Sequence, residues 1–504
     1  MIRRGSLGWF CRSVGVFSFV VIGLSGCIKV GPDYHKPLMK DQPQQWQKAA
    51  DMPKKLSAGR TYGGAVDITW WQQFHDPELT ALIQRLARQN LDIQEAATRI
   101  TQSRAQVTVA ASAGMPSVNW AGSYTWTQQS KRGFLTIAQP APGANLQYQQ
   151  YTNIGSASWD MDLFGMIRRS VEAGQAEVVE AVAAQRGVAL ATLADLVGAY
   201  VHLRGVQEQI RLTERHLALV KHDLALVLDR QREGASNALE VAQARGQVEE
   251  TESSLPPLRD AQAALVNAIG YLLALPPRAL EKELLPVTPQ PLPPVSIGVG
   301  VPSTLAERRP DIMEADARLH AATAEIGAAK AAFYPDITLT GNLGTQSLSA
   351  GDFFMPAAKY FTLGPTLNVP IFEGGRLRGT LKLRKAQQKE VALAYRQTVL
   401  NAWRDVDDAI TRLAQMQDRY AHLVETVKQN RLAFRAAREQ YQTGAVPFLE
   451  VDRAEASLLA NEILLADSRT ETASSVVSLY RALGGGWQVM LDNKQLAGSS
   501  PSPL

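Results

Sequence analysis

Val118-Asn119-Trp120-Ala121-Gly122-Ser123-Tyr124-Thr125-Trp126 alternates: its even positions are mostly large and apolar, its odd ones small or polar. A period of two belongs to a β-strand whose two faces meet different surroundings. The same alternation occurs three more times. Between Gly155 and Leu163 the apolar set includes Trp159 and Met161, against Ser156, Ser158, Asp160 and Asp162. Ile337, Leu339 and Leu343 alternate with Thr338, Thr340 and Asn342, and Phe361, Leu363, Leu367, Val369 and Ile371 with Thr362, Thr366 and Asn368. Strands are therefore expected near 117–127, 151–163, 336–346 and 360–371. Each has about the ten residues of a tilted membrane-spanning strand, and the aromatics suit a lipid-facing surface with interfacial girdles. For any one strand alone, a soluble sandwich with one wet face is the competing reading.

The rest reads as helix. Residues 167–232 and 377–441 contain no proline and little glycine, and at about 1.5 Å per residue each would form a rod of roughly 100 Å. Rods this long need lateral partners. Shorter helices over approximately 91–113, 238–275, 311–333 and 448–483 could stack along them. Pro256-Pro257 should break or kink the second of these; the later half has no proline at that place.

These features recur in one order, as an internal repeat. Leu91-Asp92-Ile93 and Met115-Pro116 are echoed by Pro310-Asp311-Ile312 and Tyr334-Pro335. Leu163-Phe164-Gly165 with Arg168 is echoed by Ile371-Phe372-Glu373 with Arg376. Gly234-Ala235-Ser-Asn-Ala-Leu-Glu240-Val matches Gly444-Ala445-Val-Pro-Phe-Leu-Glu450-Val. The stretch Pro286–Pro302 reads as an extended, Pro-rich connector. The expected organisation is a signal peptide (1–26), an N-terminal segment packing on the equatorial region (27–75), a first repeat (76–275), a linker (276–302), a second repeat (303–485) and a tail (486–504).

The 504 residues are 45% hydrophobic and 20% charged, globular values. Arg3, Arg4 and Arg12 account for three of the net +4 charges. A body near +1 gives no reason to expect nucleic acid. The apolar run Val14–Leu24 is too short to cross a bilayer and reads as an export signal. Leu24-Ser25-Gly26-Cys27 resembles a bacterial lipobox, which would make Cys27 the lipidated N-terminus of the mature chain. Ile28 rather than Asp follows it, which by the same resemblance implies the outer membrane. Cys11 lies inside the signal, so one cysteine remains and no internal disulfide can form.

Four strands cannot close a membrane barrel, whose minimum is about eight, and lipid does not tolerate an open edge. Two chains would supply eight strands, with an interior filled by side chains; three would supply twelve and a polar lumen. The fold class expected is thus an α+β membrane protein: a 12-stranded trimeric β-barrel continued by a long periplasmic α-helical barrel.

The chain resembles the outer-membrane efflux channels of tripartite export systems, the TolC-like factors, in their lipidated branch. The resemblance rests on Cys27 with Val30-Gly31-Pro32-Asp33-Tyr34 and Pro37, on Arg308-Arg309-Pro310-Asp311-Ile312, on the doubled layout and on Phe372-Glu-Gly-Gly-Arg376. It implies a homotrimeric duct for small molecules, such as drugs, dyes, solvents or aromatic compounds, with a periplasmic tip closed at rest. It also implies two partners, a periplasmic adaptor and an inner-membrane pump. Gly234, Ala235, Gly444 and Ala445 would be knobs on which the adaptor docks. Glu240, Tyr441 and Glu450 would belong to the gate, with Tyr441 bonded at the Glu240 position. Arg453 stands where the family often carries a second acid, and Val446 where it carries an arginine, which argues against strong cation selectivity.

No catalytic constellation is present in the sequence. His216 and His222 are six apart, the wrong spacing for a metal pair on one helix face, and there is no nucleophile elbow or phosphate loop. Gly484-Gly485-Gly486 follows a helix and reads as a C-cap and hinge. The expectation is a non-enzyme without cofactor or metal. Two alternatives are a duct for protein secretion and a structural periplasmic coiled-coil lipoprotein; the alternating strands weigh against the latter.

Overall fold

A computed structural model describes residues 28–37, 46, 60–62, 64–130, 147–234, 236–291 and 296–491. The chain divides into two compact units, Met1–Pro37, Thr101–Val179 and Asp316–Ala394 forming one and Leu38–Ile100, Glu180–Ala315 and Tyr395–Leu504 the other. Cys27 and Ala235 lie outside the described residues.

The first unit holds a four-stranded antiparallel sheet in the order β2-β3-β5-β6, with β2 Ser117–Gln128, β3 Gln147–Met161, β5 Asp336–Ser347 and β6 Lys359–Asn368. All four alternating stretches are strands. β3 begins earlier than its alternation suggested, because Gln147, Gln149 and Tyr151 pair with Gln128, Trp126 and Tyr124 across the hairpin. β6 ends at Asn368; Val369 to Ile371 continue the alternation but lie beyond the last pairing with β5.

Two helices of 67 residues each, α3 Met166–Arg232 and α7 Arg376–Gln442, run from the first unit into the second. The shorter helices are α1 Pro77–Gln89, α2 Leu91–Ser112, α4 Ala238–Ser253, α5 Leu255–Leu272, α6 Pro310–Ala331 and α8 Phe448–Leu483. The proline pair acts as expected: α4 stops at Ser253, and Pro256 sits in the first turn of α5, where a missing N–H costs nothing. α1 escaped the sequence reading although its signals are regular. Asp76 caps it by accepting from the Leu79 N–H at 3.0 Å, Pro77 opens it, and Leu79, Leu82, Ile83 and Leu86 form its buried stripe.

In the second unit the core gathers around Trp70, which stacks on Tyr480 at 4.9 Å and donates its indole N–H to the Gly485 carbonyl. This corrects the reading of the glycine run as a hinge. Gly484 does cap α8 in the left-handed conformation. A side chain on it would strike the Arg308 carbonyl, and one on Gly486 would strike Leu193 and Trp70, so the run is a packed joint. The connector is also more than an extended linker: Ser296–Gly298 (β4) pairs in parallel with Arg60–Tyr62 (β1).

Candidate functional site

The cross-strand register turns four separate alternations into one surface. Trp120 faces Gly155 and Tyr124 faces Tyr151; Trp159 faces Leu339, Leu343 faces Phe361 and Ile337 faces Leu367. The other face pairs Asn119 with Ser156, Ser158 with Thr340, Asp160 with Thr338 and Asn342 with Thr362. Polar partners bond laterally there: the Thr338 hydroxyl donates to Asp160 at 2.7 Å, and the Asn342 amide to Thr362 Oγ1 at 2.9 Å. Among the described residues, nothing covers the apolar face. Trp120 is 68% exposed and Leu363 78%. Among the described residues, β2 and β6 each pair along one edge only.

In the second unit, the corners between α3 and α4 and between α7 and α8 meet in one hydrophobic cluster of Val227, Val241, Ala244, Phe434, Tyr441, Phe448 and Val451. Gly234 and Gly444 both take positive φ, 75° and 77°, and nothing stands within 4 Å of where a Cβ would be. Glycine is thus required by backbone conformation and not by crowding. Asn237 caps α4, accepting from the Glu240 N–H at 3.0 Å. Pro447 at the start of α8 offers no such cap.

The residues expected at the gate are distributed as follows. Glu240 accepts from the Ser236 hydroxyl at 2.5 Å. Tyr441 is buried edge-on to Phe448, with the Arg230 guanidinium over its ring at 4.5 Å. Among the described residues its hydroxyl has no hydrogen-bond partner, Glu240 included. Burial pushes the Tyr441 hydroxyl pKa up, against the pull of Arg230. Glu450 and Arg453 form an ion pair at 3.1 Å, both substantially exposed.

Beyond the corners, on α3, α7 and α8, lies a polar group that the sequence alone does not assemble. His216 on α3 sits 3.2 Å from Glu455 on α8, and Arg438 on α7 bonds to Asp223 on α3 at 3.3 Å. His216, Asp223 and Glu455 are all buried, and among the described residues the His216 Nε2 and Asp223 Oδ2 atoms have no hydrogen-bond partner. Burial, then the Glu455 charge, raise the Asp223 pKa against Arg438; burial, Glu455 and Glu250 raise that of Asp452. The available signal was the seven-residue spacing of His216 and Asp223, which puts both on one helix face.

The described part of the N-terminal segment is held in the first unit by Arg169. This buried guanidinium donates to the Val30 and Gly31 carbonyls at 3.1 and 3.2 Å and to Asp33 at 2.9 Å. Tyr34 stacks on His320 and donates to Asp316 at 2.5 Å. Burial disfavours the charge on Glu172, yet bonds from Lys29, Arg169 and His320 outweigh it and hold its pKa down at about 2. Gly31 and Gly327 meet backbone to backbone: a Cβ on Gly31 would fall 2.4 Å from the Gly327 Cα.

Comparison with known proteins agrees with this architecture. The family model described as outer membrane efflux protein matches residues 82–274 and 301–485. The chain is 31% identical over 469 residues to the cation efflux system protein CusC of Escherichia coli O6:H1, covering 93% of this chain and 98% of that protein. It is 31% identical over 469 residues to the toluene efflux pump outer membrane protein TtgF of Pseudomonas putida, covering 92% and 95%. The solved outer-membrane channel OprN superposes with a TM-score of 0.81 at 28% identity, covering 91% of this chain and all of OprN. With a two-faced sheet, paired long helices and these relatives, the chain belongs to the outer membrane efflux protein family and is the outer-membrane channel component of an efflux system.

Proposed function

We propose that three copies of this chain form a passive duct through which small molecules leave the periplasm. The observation that carries the proposal is the sheet, apolar on one face, polar on the other and, among the described residues, unpaired along the outer edges of β2 and β6. Its strands run alternately out and back, so β6 of one copy meets β2 of the next antiparallel, and closure needs no new topology. Twelve strands leave an aqueous lumen where eight do not. The repeated element order gives each copy two helical columns per repeat.

On this reading Cys27 carries the lipid, and the Arg169 clamp fixes the chain that follows it. Gly234, Ala235, Gly444 and Ala445 form the docking knobs for a periplasmic adaptor, and an inner-membrane pump supplies the energy. Glu240, Glu450 and Arg453 line the closed end, and Tyr441 braces it from the hydrophobic cluster behind. The Glu450–Arg453 pair halves the acid charge presented there, which favours organic cargo over a filter for cations.

Planar-bilayer conductance with oligomer mass measurement tests the duct: a trimer with discrete, low resting conductance is expected. A monomer, or a trimer that never conducts, would sink it. Glu240→Ala with Tyr441→Phe should raise the resting conductance, and an unchanged value counts against their gate role. Cys27→Ser should remove a lipid mass from the N-terminal peptide.

A further inference from the structure

The turn between β5 and β6, Leu348-Ser-Ala-Gly-Asp-Phe-Phe-Met355-Pro-Ala-Ala358, is more apolar than an aqueous loop needs to be. Leu348 is 66% exposed, Phe354 84% and Met355 52%. Exposed side chains of this size in a loop tip mark a contact surface.

Three observations say what covers it. The turn joins the strand ends remote from α6 and α7, since β5 leaves α6 and β6 returns to α7; in the channel reading this is the outer end of the barrel. The turn is attached to the apolar face of the sheet. Tyr124 and Tyr151 are opposite each other on that face with ring centroids 5.0 Å apart, Phe353 lies 6.1 Å from Tyr151, and Phe354 lies 4.9 Å from Phe353. The turn is also ordered: the Met355 N–H donates to the Asp352 carbonyl and the Ala358 N–H to the Met355 carbonyl, both at 3.0 Å, closing a short 3-10 turn. Aromatics at the end of an apolar band occupy the level where acyl chains give way to headgroups.

We infer that the Leu348–Ala358 turn is a membrane-contacting wedge, seating Leu348, Phe354 and Met355 in the acyl boundary of the outer leaflet. The turn leans toward lipid, along the Tyr124–Tyr151–Phe353–Phe354 line, and leaves the mouth of the duct uncovered on that side. Asp352 sits before the aromatics, at the edge of the wedge.

The inference rests on the apolar face being the lipid-facing one, so the experiment tests the two separately. Spin labels are placed at Phe354→Cys, at Tyr124→Cys on the apolar face and at Thr125→Cys on the polar face. Each full-length variant is reconstituted into phosphatidylcholine–phosphatidylglycerol vesicles. Collisions with oxygen, which partitions into lipid, are compared with collisions with water-soluble nickel–EDDA. The expected result is several-fold oxygen preference at positions 354 and 124 and nickel preference at 125. Nickel preference at 354 with oxygen preference at 124 overturns the wedge and leaves the channel reading intact. Protection of 354 from both reagents also overturns it, placing the turn against protein. Nickel preference at 124 refutes the lipid-facing assignment itself.

Discussion

At the scale of single residues, what the structure asks of a position is often not visible in its type. Gly234 and Gly444 stand in open space, and only their positive φ requires glycine. Gly444→Ala should therefore cost about 1–2 kcal/mol from the left-handed backbone alone, read as a lowered Tm; an unchanged Tm would show that the corner relaxes freely. Gly327 is the opposite case. A Cβ there would stand 2.7 Å from the Arg169 side chain, so Gly327→Ala should loosen the clamp, seen as faster proteolysis near residues 30–37. Asp223 makes a pH prediction. Its folded-state pKa is raised, so between the ordinary carboxylate value and the raised one the folded chain binds more protons than the unfolded chain. Stability then falls as pH rises through that window. The groups whose charge acts on it are Glu455 on α8, Arg438 on α7 and His222 on α3. Asp223→Asn should flatten the part of the Tm–pH profile just above the ordinary carboxylate value of about 4, and an unaltered slope would assign the effect elsewhere.

At the scale of elements, alternation and register divide the work. Each strand was legible in its own period of two, as in Phe361, Leu363 and Leu367 against Thr362 and Thr366. Register then made one continuous apolar face out of four stripes, and a slip of one residue in any strand would have broken it. The two faces should answer differently to the same charge. Leu363→Arg should destabilise the membrane-inserted form by about 2–4 kcal/mol and reduce the yield of heat-resistant oligomer. Thr362→Arg, next to it on the polar face, should leave the yield close to the parent chain. Equal losses would mean that the faces are misassigned. Among the helices, α3, α7 and α8 were read within about a residue at each end, because absent prolines and flanking glycines bound them. α1 was missed although Asp76 and Pro77 announce it, and the β1–β4 pair was missed because three-residue strands carry no periodicity.

At the scale of the whole molecule, the sequence by itself pointed to the outer membrane and to a four-stranded sheet that would need further copies to close. Those expectations follow from a pattern that reads as an export signal, from four alternating stretches and from the rule that lipid forbids unpaired edges. It also determined that two Gly-Ala corners exist, because left-handed turns between long helices require glycine. Only the tertiary structure decided that both corners share one hydrophobic cluster, with Tyr441 buried in it and its hydroxyl not hydrogen-bonded to Glu240. Only it gathered His216, Asp223, Arg438 and Glu455 from three helices into one buried group, and Arg169 with the chain at Val30 and Gly31. The physical reason is range. Periodicity and turn chemistry act over a few residues, whereas burial, ion pairing and strand register join residues more than a hundred positions apart, where no local pattern records the partner.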